Sequence, residues 1–240
     1  MIDLEIKEKQ NCTGCYACYN ICPKSCLAMN SDNEGFWYPK VDNKNCIQCK
    51  KCIKVCPIIN KTTVYNEPFS YACYNKDNNI RFESSSGGIF TLVAEEIIKN
   101  GGVVFGAGFD GDFNVKHSYV ETIEELHRFR GSKYVQSSIG DAYKQSGSFL
   151  KQGRLVLFSG TPCQIGGLKS YLGTEYSNLF CIDIVCHGVP SPKVWKKYVS
   201  FRVNKSGTPI QNITFRLKNK GKRQINRYMK LYINETSLKS

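Results

Sequence analysis

No stretch of this sequence stays apolar for the roughly 18 residues a membrane-spanning helix needs, so no membrane partner is expected. The opening M-I-D-L-E-I-K-E-K-Q lacks the basic-then-apolar run of an export signal, which points to a cytoplasmic protein. A helix-turn-helix or zinc-finger pattern is also missing, and this weighs against a nucleic-acid reader. Acids almost vanish toward one end. From Lys196 onward twelve Lys and Arg face a single acid, Glu235, so that segment carries +11 of the formal +13. The basic character is local, and a solvated surface explains it better than nucleic acid does. A stretch such as R-L-K-N-K-G-K-R-Q-I-N-R could still dock an acidic partner.

Cysteine is what the chain has in quantity: thirteen in 240 residues. Without an export signal, that count points to metal or redox chemistry rather than a disulfide framework. Eight of the thirteen fall in two runs. C-T-G-C-Y-A-C-Y-N-I-C-P holds Cys12, Cys15, Cys18 and Cys22, and C-I-Q-C-K-K-C-I-K-V-C-P holds Cys46, Cys49, Cys52 and Cys56. Both read C-x2-C-x2-C-x3-C-P, the bacterial 4Fe-4S run. Three cysteines two apart wrap one face of a cubane, the fourth reaches a different iron, and Pro23 or Pro57 fixes the exit.

In two-cluster ferredoxins the fourth cysteine of each run serves the other cluster. On that pattern Cys12, Cys15, Cys18 and Cys56 hold one cubane, and Cys46, Cys49, Cys52 and Cys22 hold the second. Iron binding and folding should then be coupled. A four-cysteine zinc site would more usually show two C-x2-C pairs separated by a longer loop. Cys26, four past Cys22, lies outside the run and reads as a filler of buried space. Between the runs, D-N-E-G-F-W-Y-P-K-V-D predicts a hairpin covering one cluster.

After the polar connection K-T-T-V-Y-N-E-P-F the pattern alternates strand and helix. Strands are expected at Y-A-C-Y, G-V-V-F-G-A-G-F, N-V-K-H-S-Y-V-E, L-V-L-F-S-G and L-F-C-I-D-I-V-C. A helix is expected from S-S-S-G-G-I-F onward, with Ile89, Leu92, Val93, Ile97 and Ile98 on one face and a stop at Gly101. Further helices are expected at T-I-E-E-L, D-A-Y-K-Q-S-G-S-F-L-K-Q-G, Ile165 to Leu172 and S-P-K-V-W-K-K-Y-V-S-F. The fold class is therefore α/β: an α+β ferredoxin-like module followed by an α/β domain with a mainly parallel or mixed sheet.

Three loops in this second part carry chemical suggestion. Ser84 to Gly88 precede a helix, where free N–H groups and the dipole suit a cofactor phosphate. F-S-G-T-P-C-Q puts Cys163 at the first turn of a helix, where a thiolate is stabilised. D-I-V-C-H-G-V-P puts Cys186 and His187 at the end of a neighbouring strand. Strand carboxyl ends are where open α/β sheets bind ligands. These residues are candidates for a redox thiol, a flavin lining or ligands of a further cluster. Cys73 and Cys181 read as core, and a third cubane made from them with Cys163 and Cys186 has no spacing to support it.

The motifs R-F-E-S-S-S-G-G-I-F, G-G-V-V-F-G-A-G-F-D, R-G-S-K-Y-V-Q-S, L-F-S-G-T-P-C-Q-I-G-G-L-K and D-I-V-C-H-G-V-P-S-P, in that order, resemble the coenzyme F-420 hydrogenase and dehydrogenase beta subunit family. The form resembled is the bacterial one with an N-terminal two-cluster ferredoxin domain, over residues 8 to about 217. The resemblance implies a ferredoxin domain at 1–62 and a flavin-binding α/β domain at 63–240. It implies an iron-sulfur flavoprotein oxidoreductase, with a ferredoxin-like donor or partner redox subunit, two 4Fe-4S clusters, FAD and a small organic acceptor such as the deazaflavin coenzyme F-420.

By motif, Ser86, Gly87, Gly88, Lys133, Thr161, Pro162, Cys163 and Gln164 would belong to the flavin site. Cys163, Cys186 and His187 would lie near the redox centre as catalytic candidates. The family also holds a chlorophyll-pathway reductase, so the deazaflavin does not follow from membership. The rival reading is a non-catalytic electron-transfer subunit or fragment serving a partner enzyme. Relatives continue well past the N-I-T-F-R strand with another α/β portion, and a truncated or frame-shifted product is the expectation for this shorter, basic end.

Overall fold

The computed structural model describes residues 1–6, 8–61, 67–218, 225–226 and 230–233. The connection over 62–66, with the expected domain boundary, and most of the basic end lie outside them.

The two cysteine runs take the same backbone path. Gly14 and Tyr16 in the first run, and Gln48 and Lys50 in the second, all have left-handed φ, between 52° and 65°. Each pair flanks the second cysteine of its run, and each second member opens a short helix. Before them come a single turn, α1 (Ile2–Glu5), and a 3₁₀ turn at Lys9–Asn11. The short helices are α2 (Ala17–Ile21) and α3 (Lys51–Lys54). Between them β1 (Leu27–Ser31) and β2 (Trp37–Val41) form the expected antiparallel hairpin, Leu27 opposite Val41. Its turn is held by Asp32, whose Oδ1 accepts the amides of Glu34, Gly35 and Phe36 at 2.9–3.1 Å. Gly35 is required there, because its φ is +93° and a Cβ would lie 2.1 Å from that of Lys193.

The second part follows with α4 (Asn78–Glu83), α5 (Ile89–Lys99), β3 (Val103–Phe109), β4 (Val115–Val120) and a 3₁₀ stretch at Glu124–Phe129. Then come α6 (Ala142–Lys151), β5 (Val156–Gly160), α7 (Pro162–Leu172), β6 (Leu179–Asp183), α8 (Pro192–Ser206) and β7 (Ile210–Thr214). Short strands β8 (Leu217–Lys218), β9 (Ile225–Asn226) and β10 (Lys230–Ile233) complete the described residues. The main sheet has the order β4-β3-β5-β6. β3 pairs antiparallel with β4, and the β3–β5 and β5–β6 pairings are parallel, so the sheet is mixed. Separately, β10 pairs with β7 and β9 with β8.

Both faces of this sheet are covered, which is why β3 and β5 read as unbroken apolar runs. Phe105 and Phe158 stack at 5.5 Å on the face toward α6, α7 and the cysteine module. They share one core with Cys15, Tyr16, Ala17, Tyr143 and Leu168. Val104 and Leu157 face the other way, against Ala94 and Ile97 of α5 and Leu126 and Phe129. A third cluster gathers Trp195 of α8 with Val115, Ile210 and Ile213. No helix among the described residues is long and apolar enough to cross a membrane.

Three expectations need correction. Y-A-C-Y forms no strand. Its backbone instead packs over the 84–88 turn, where the Asn75 amide donates to the Gly87 carbonyl at 2.7 Å, leaving Tyr71 and Cys73 exposed rather than in the core. The inner face of α5 is set by Phe90, Val93, Ala94, Ile97 and Ile98, whereas Leu92 is 44% exposed. The helix expected from Ile165 begins at Pro162, because Thr161 and Gln164 form a capping box ahead of it.

Candidate functional site

The eight run cysteines surround two cavities. One is lined by Cys12, Cys15, Cys18 and Cys56, roofed by Met29 and Pro39 of the hairpin. The other, of about 90 Å³, is lined by Cys22, Cys46, Cys49 and Cys52, and by Cys26. The last cysteine of each run thus lines the cavity of the other.

This arrangement suits a multinuclear cluster. The four left-handed residues sit beside the second cysteine of each run, and such turns make concave nests of N–H groups found at iron-sulfur sites. The thiols ring a space instead of closing on a point: among the described residues no three Cys, His, Asp or Glu side chains meet closely enough to hold one ion. Burial pushes the Cys15 thiol up to about 12 and raises Cys12 and Cys18, and the neighbouring thiols add to each shift. Four thiolates gathered there call for positive charge in their midst.

The first cavity abuts the start of α7. Cys163 is close enough that its charge would raise both Cys12 and Cys15. Its Sγ also lies 3.1 Å from Thr161 Oγ1. A Cβ on Gly167 would sit 3.2 Å from Cys15 Sγ and 2.9 Å from the Tyr143 hydroxyl, so the second glycine of Q-I-G-G-L-K is what lets α7 reach the cysteine loop. On the loop's other side Gln136 Oε1 accepts the Trp37 amide at 3.2 Å, and its Nε2 fills the space a Cβ on Gly14 would take.

A buried chain of side chains holds this start of α7 to the sheet. Gln164 Oε1 accepts the Thr161 amide at 2.9 Å, and Gln164 Nε2 donates to Ser137 Oγ at 2.8 Å. Ser137 Oγ lies 3.1 Å from His117 Nδ1, and His117 Nε2 lies 3.1 Å from the Ser159 carbonyl. A carbonyl can only accept, so His117 carries its proton on Nε2, Nδ1 accepts, and the Ser137 hydroxyl donates to it. Only the neutral ring satisfies every partner, and burial lowers its pKa to about 4. His117 pairs across the ladder with Ala107, whose small side chain lets the imidazole pass over β3 and stack on Phe158 of β5 at 5.5 Å.

The 130–138 strip joins this network to the 84–88 turn. The Ser132 amide donates to Ser85 Oγ at 2.7 Å, and Arg130 reaches Glu83 at 2.8 Å and Thr91 Oγ1 at 3.3 Å. Lys133 turns its ammonium to the carbonyls of Arg128 and Arg130, each at 3.0 Å. Desolvation there lowers its pKa to about 7. Gly88 is left-handed, φ +79°, and opens α5, while Gly87 packs so closely on the Cys73 carbonyl that a Cβ would lie 2.8 Å from it. Ser86, Gly87, Gly88, Lys133 and the Thr161–Gln164 turn are thus linked through one strip. Cys186 and His187 are not part of it: both are exposed, and Cys186 Sγ takes the Gly188 amide at 3.4 Å.

His117, Ser137, Gln136, Tyr143 and Gly167 were not singled out from sequence. The one signal available was alternation in N-V-K-H-S-Y-V, which places His117 on the same face as Val115 and Tyr119.

Comparison with known families now adds to this geometry. A 4Fe-4S dicluster domain matches residues 11–58, and a 4Fe-4S binding domain matches 43–75. The models for coenzyme F420 hydrogenase/dehydrogenase, beta subunit, match with the N-terminal part over 70–144 and the C-terminal part over 153–238. The chain belongs to this family. Both halves of the family pattern thus follow an iron-sulfur module in one polypeptide. Among solved structures it is similar to a chain of the xenon-derivatised F420-reducing [NiFe] hydrogenase complex from Methanosarcina barkeri, at 20% identity and a TM-score of 0.46. The likeness covers 67% of this chain and 55% of that one. No curated protein gave a significant match.

Proposed function

We propose that this chain is an iron-sulfur flavoprotein oxidoreductase that passes electrons from a ferredoxin-like donor to FAD and on to an organic acceptor of the deazaflavin class. When bound, the clusters supply single-electron carriers and the flavin supplies exchange between one-electron and hydride chemistry.

The chain's own residues have separate tasks in this reading. Cys12, Cys15, Cys18 and Cys56 would hold one cluster, and Cys22, Cys46, Cys49 and Cys52 the other. Ser86, Gly87 and Gly88 would offer backbone amides at the start of α5, an eleven-residue helix whose dipole favours an anionic group. Thr161, Pro162, Cys163 and Gln164 would line the isoalloxazine side, with Lys133 at the turn between the two loops. Cys163, nearest the redox path, is the first candidate for contact with reacting atoms, and Cys186 and His187 come second.

The observation that carries the proposal is the first turn of α7: the Tyr143 hydroxyl ties Gln164 to the Cys15 carbonyl, and the same Gln164 belongs to the linked loops. A cluster and a flavin held on its two sides would be near neighbours.

A second reading, an electron-transfer subunit without its own substrate, is favoured by the surface beside the hairpin. A groove of about 620 Å³ is lined by Lys193, Lys196, Lys197, Phe201 and Trp37. Trp37 packs edge-on against Tyr16 at 6.3 Å, next to Cys15. This is a suitable landing place for an acidic redox protein.

The deciding experiment is to purify the protein anaerobically, denature it with acid, and count released flavin beside iron. About one FAD with about eight irons supports the oxidoreductase. About eight irons and no flavin, even after FAD is added, leaves the electron-transfer subunit.

A further inference from the structure

The second cavity has one thiol more than a cubane uses. Cys26 is buried in its wall, with Sγ 3.4 Å from Cys22 Sγ, and Cys46 lines the same cavity. The chain folds back sharply to bring it there. The Ser25 amide donates to the Cys22 carbonyl at 3.3 Å, and Ser25 takes a left-handed φ of +49°. On the other side the Cys26 carbonyl accepts the Asp42 amide at 2.8 Å, which ties the residue to the base of the hairpin. A residue that only filled space would need no sulfur beside it. This one has the Cys22 sulfur at contact distance, and that sulfur belongs to the second ligand set.

We propose that Cys26 is a reserve thiol of the second cluster site: in the intact protein its S–H donates to the Cys22 sulfur, and when Cys22 is lost it becomes the fourth ligand. The inference rests on the reading that these cysteines hold a cluster. The replacement needs no oxidant. An iron–sulfur bond forms to Cys26, its proton leaves to solvent, and no electron changes hands. The donated hydrogen bond also has a consequence in the unaltered protein, because hydrogen bonds to ligating sulfurs help set a cluster's potential. The first cavity has no fifth cysteine in its lining, Cys163 lying outside it.

The test uses the full chain, reconstituted anaerobically with iron and sulfide, comparing Cys22→Ala, Cys26→Ala, the double variant and Cys12→Ala. Iron content and the electron paramagnetic resonance of the reduced protein are the readouts. The expected result is about eight irons in Cys22→Ala and in Cys26→Ala, and about four in the double variant and in Cys12→Ala. Cys26→Ala should also move one cluster's midpoint potential to a more negative value. If Cys22→Ala already drops to about four irons, Cys26 is no reserve ligand. An unshifted potential in Cys26→Ala removes the hydrogen-bond role, and it can be read even if the Cys22 variant does not fold. Wild-type protein that takes up no iron would instead overturn the cluster reading beneath the proposal.

Discussion

The Tyr143 hydroxyl lies 2.8 Å from the Cys15 carbonyl and 2.7 Å from that of Gln164, so one buried phenol joins the first cysteine loop to the start of α7. It has a single proton for two acceptors. Tyr143→Phe removes that proton and leaves two buried carbonyls without it, at a cost of about 1–3 kcal/mol. Urea unfolding of the anaerobic protein should show a lower midpoint with an unchanged slope. A midpoint equal to wild type would mean that the joint depends on packing alone.

Assignment of the cysteines to two sets can be checked by counting iron in paired variants. Cys15→Ser should halve the content, to about four irons. Adding Cys56→Ser should cause no further loss, because both residues line the same cavity. Adding Cys52→Ser to Cys15→Ser should remove nearly all iron. Loss of nearly all iron in the Cys15→Ser, Cys56→Ser pair as well would assign each run to its own cluster.

His117 gives the fold a pH dependence of known sign. Its pKa falls from an ordinary 6.5 to about 4 on folding, so between those values the unfolded chain binds the extra proton. The stabilisation is therefore complete above pH 6.5 and is lost as pH falls toward 4, with a slope of at most ~1.4 kcal/mol per pH unit. His117→Gln should flatten that part of the profile in urea titrations at pH 7, 6, 5 and 4. Equal slopes for the two proteins would assign the acid sensitivity to other groups.

Charge reversal on α8 tests the groove. Lys196→Glu with Lys197→Glu should slow electron uptake from an acidic ferredoxin roughly tenfold or more at low salt and weaken its salt dependence. Uptake from a small neutral dye should be unaffected. If the protein donor reacts at the same rate and with the same salt slope, it lands elsewhere.

The sequence was most informative where function depends on near neighbours in the chain. The two cysteine runs were legible because three of the four run cysteines around each cavity lie within seven positions, and the fourth holds a fixed place in the other run, so the spacing is the chemistry. The strands β3 and β5 were legible because burial on both faces leaves an unbroken apolar run. Y-A-C-Y failed as a strand because its composition suits a sheet but its backbone packs on Gly87, where the next residue, Asn75, donates to the Gly87 carbonyl. The joint between the two parts was illegible. Tyr143 and Cys15 are 128 positions apart, and nothing local to D-A-Y-K-Q-S distinguishes a tyrosine that bridges carbonyls from one that fills space. Gly167 was hidden in the same way, as half of a glycine pair whose other member, Gly166, faces open space.

That glycine also determines how the protein could be rebuilt. With Cys15 set against the bare backbone of α7, and Tyr143 closing the gap, the N-terminal run is not a detachable cassette. A foreign ferredoxin spliced at residue 62 would bring its own loop to a joint with no clearance. The sheet would then lack part of its packing, and the graft would need a matching bare patch on the helix before any electron could cross.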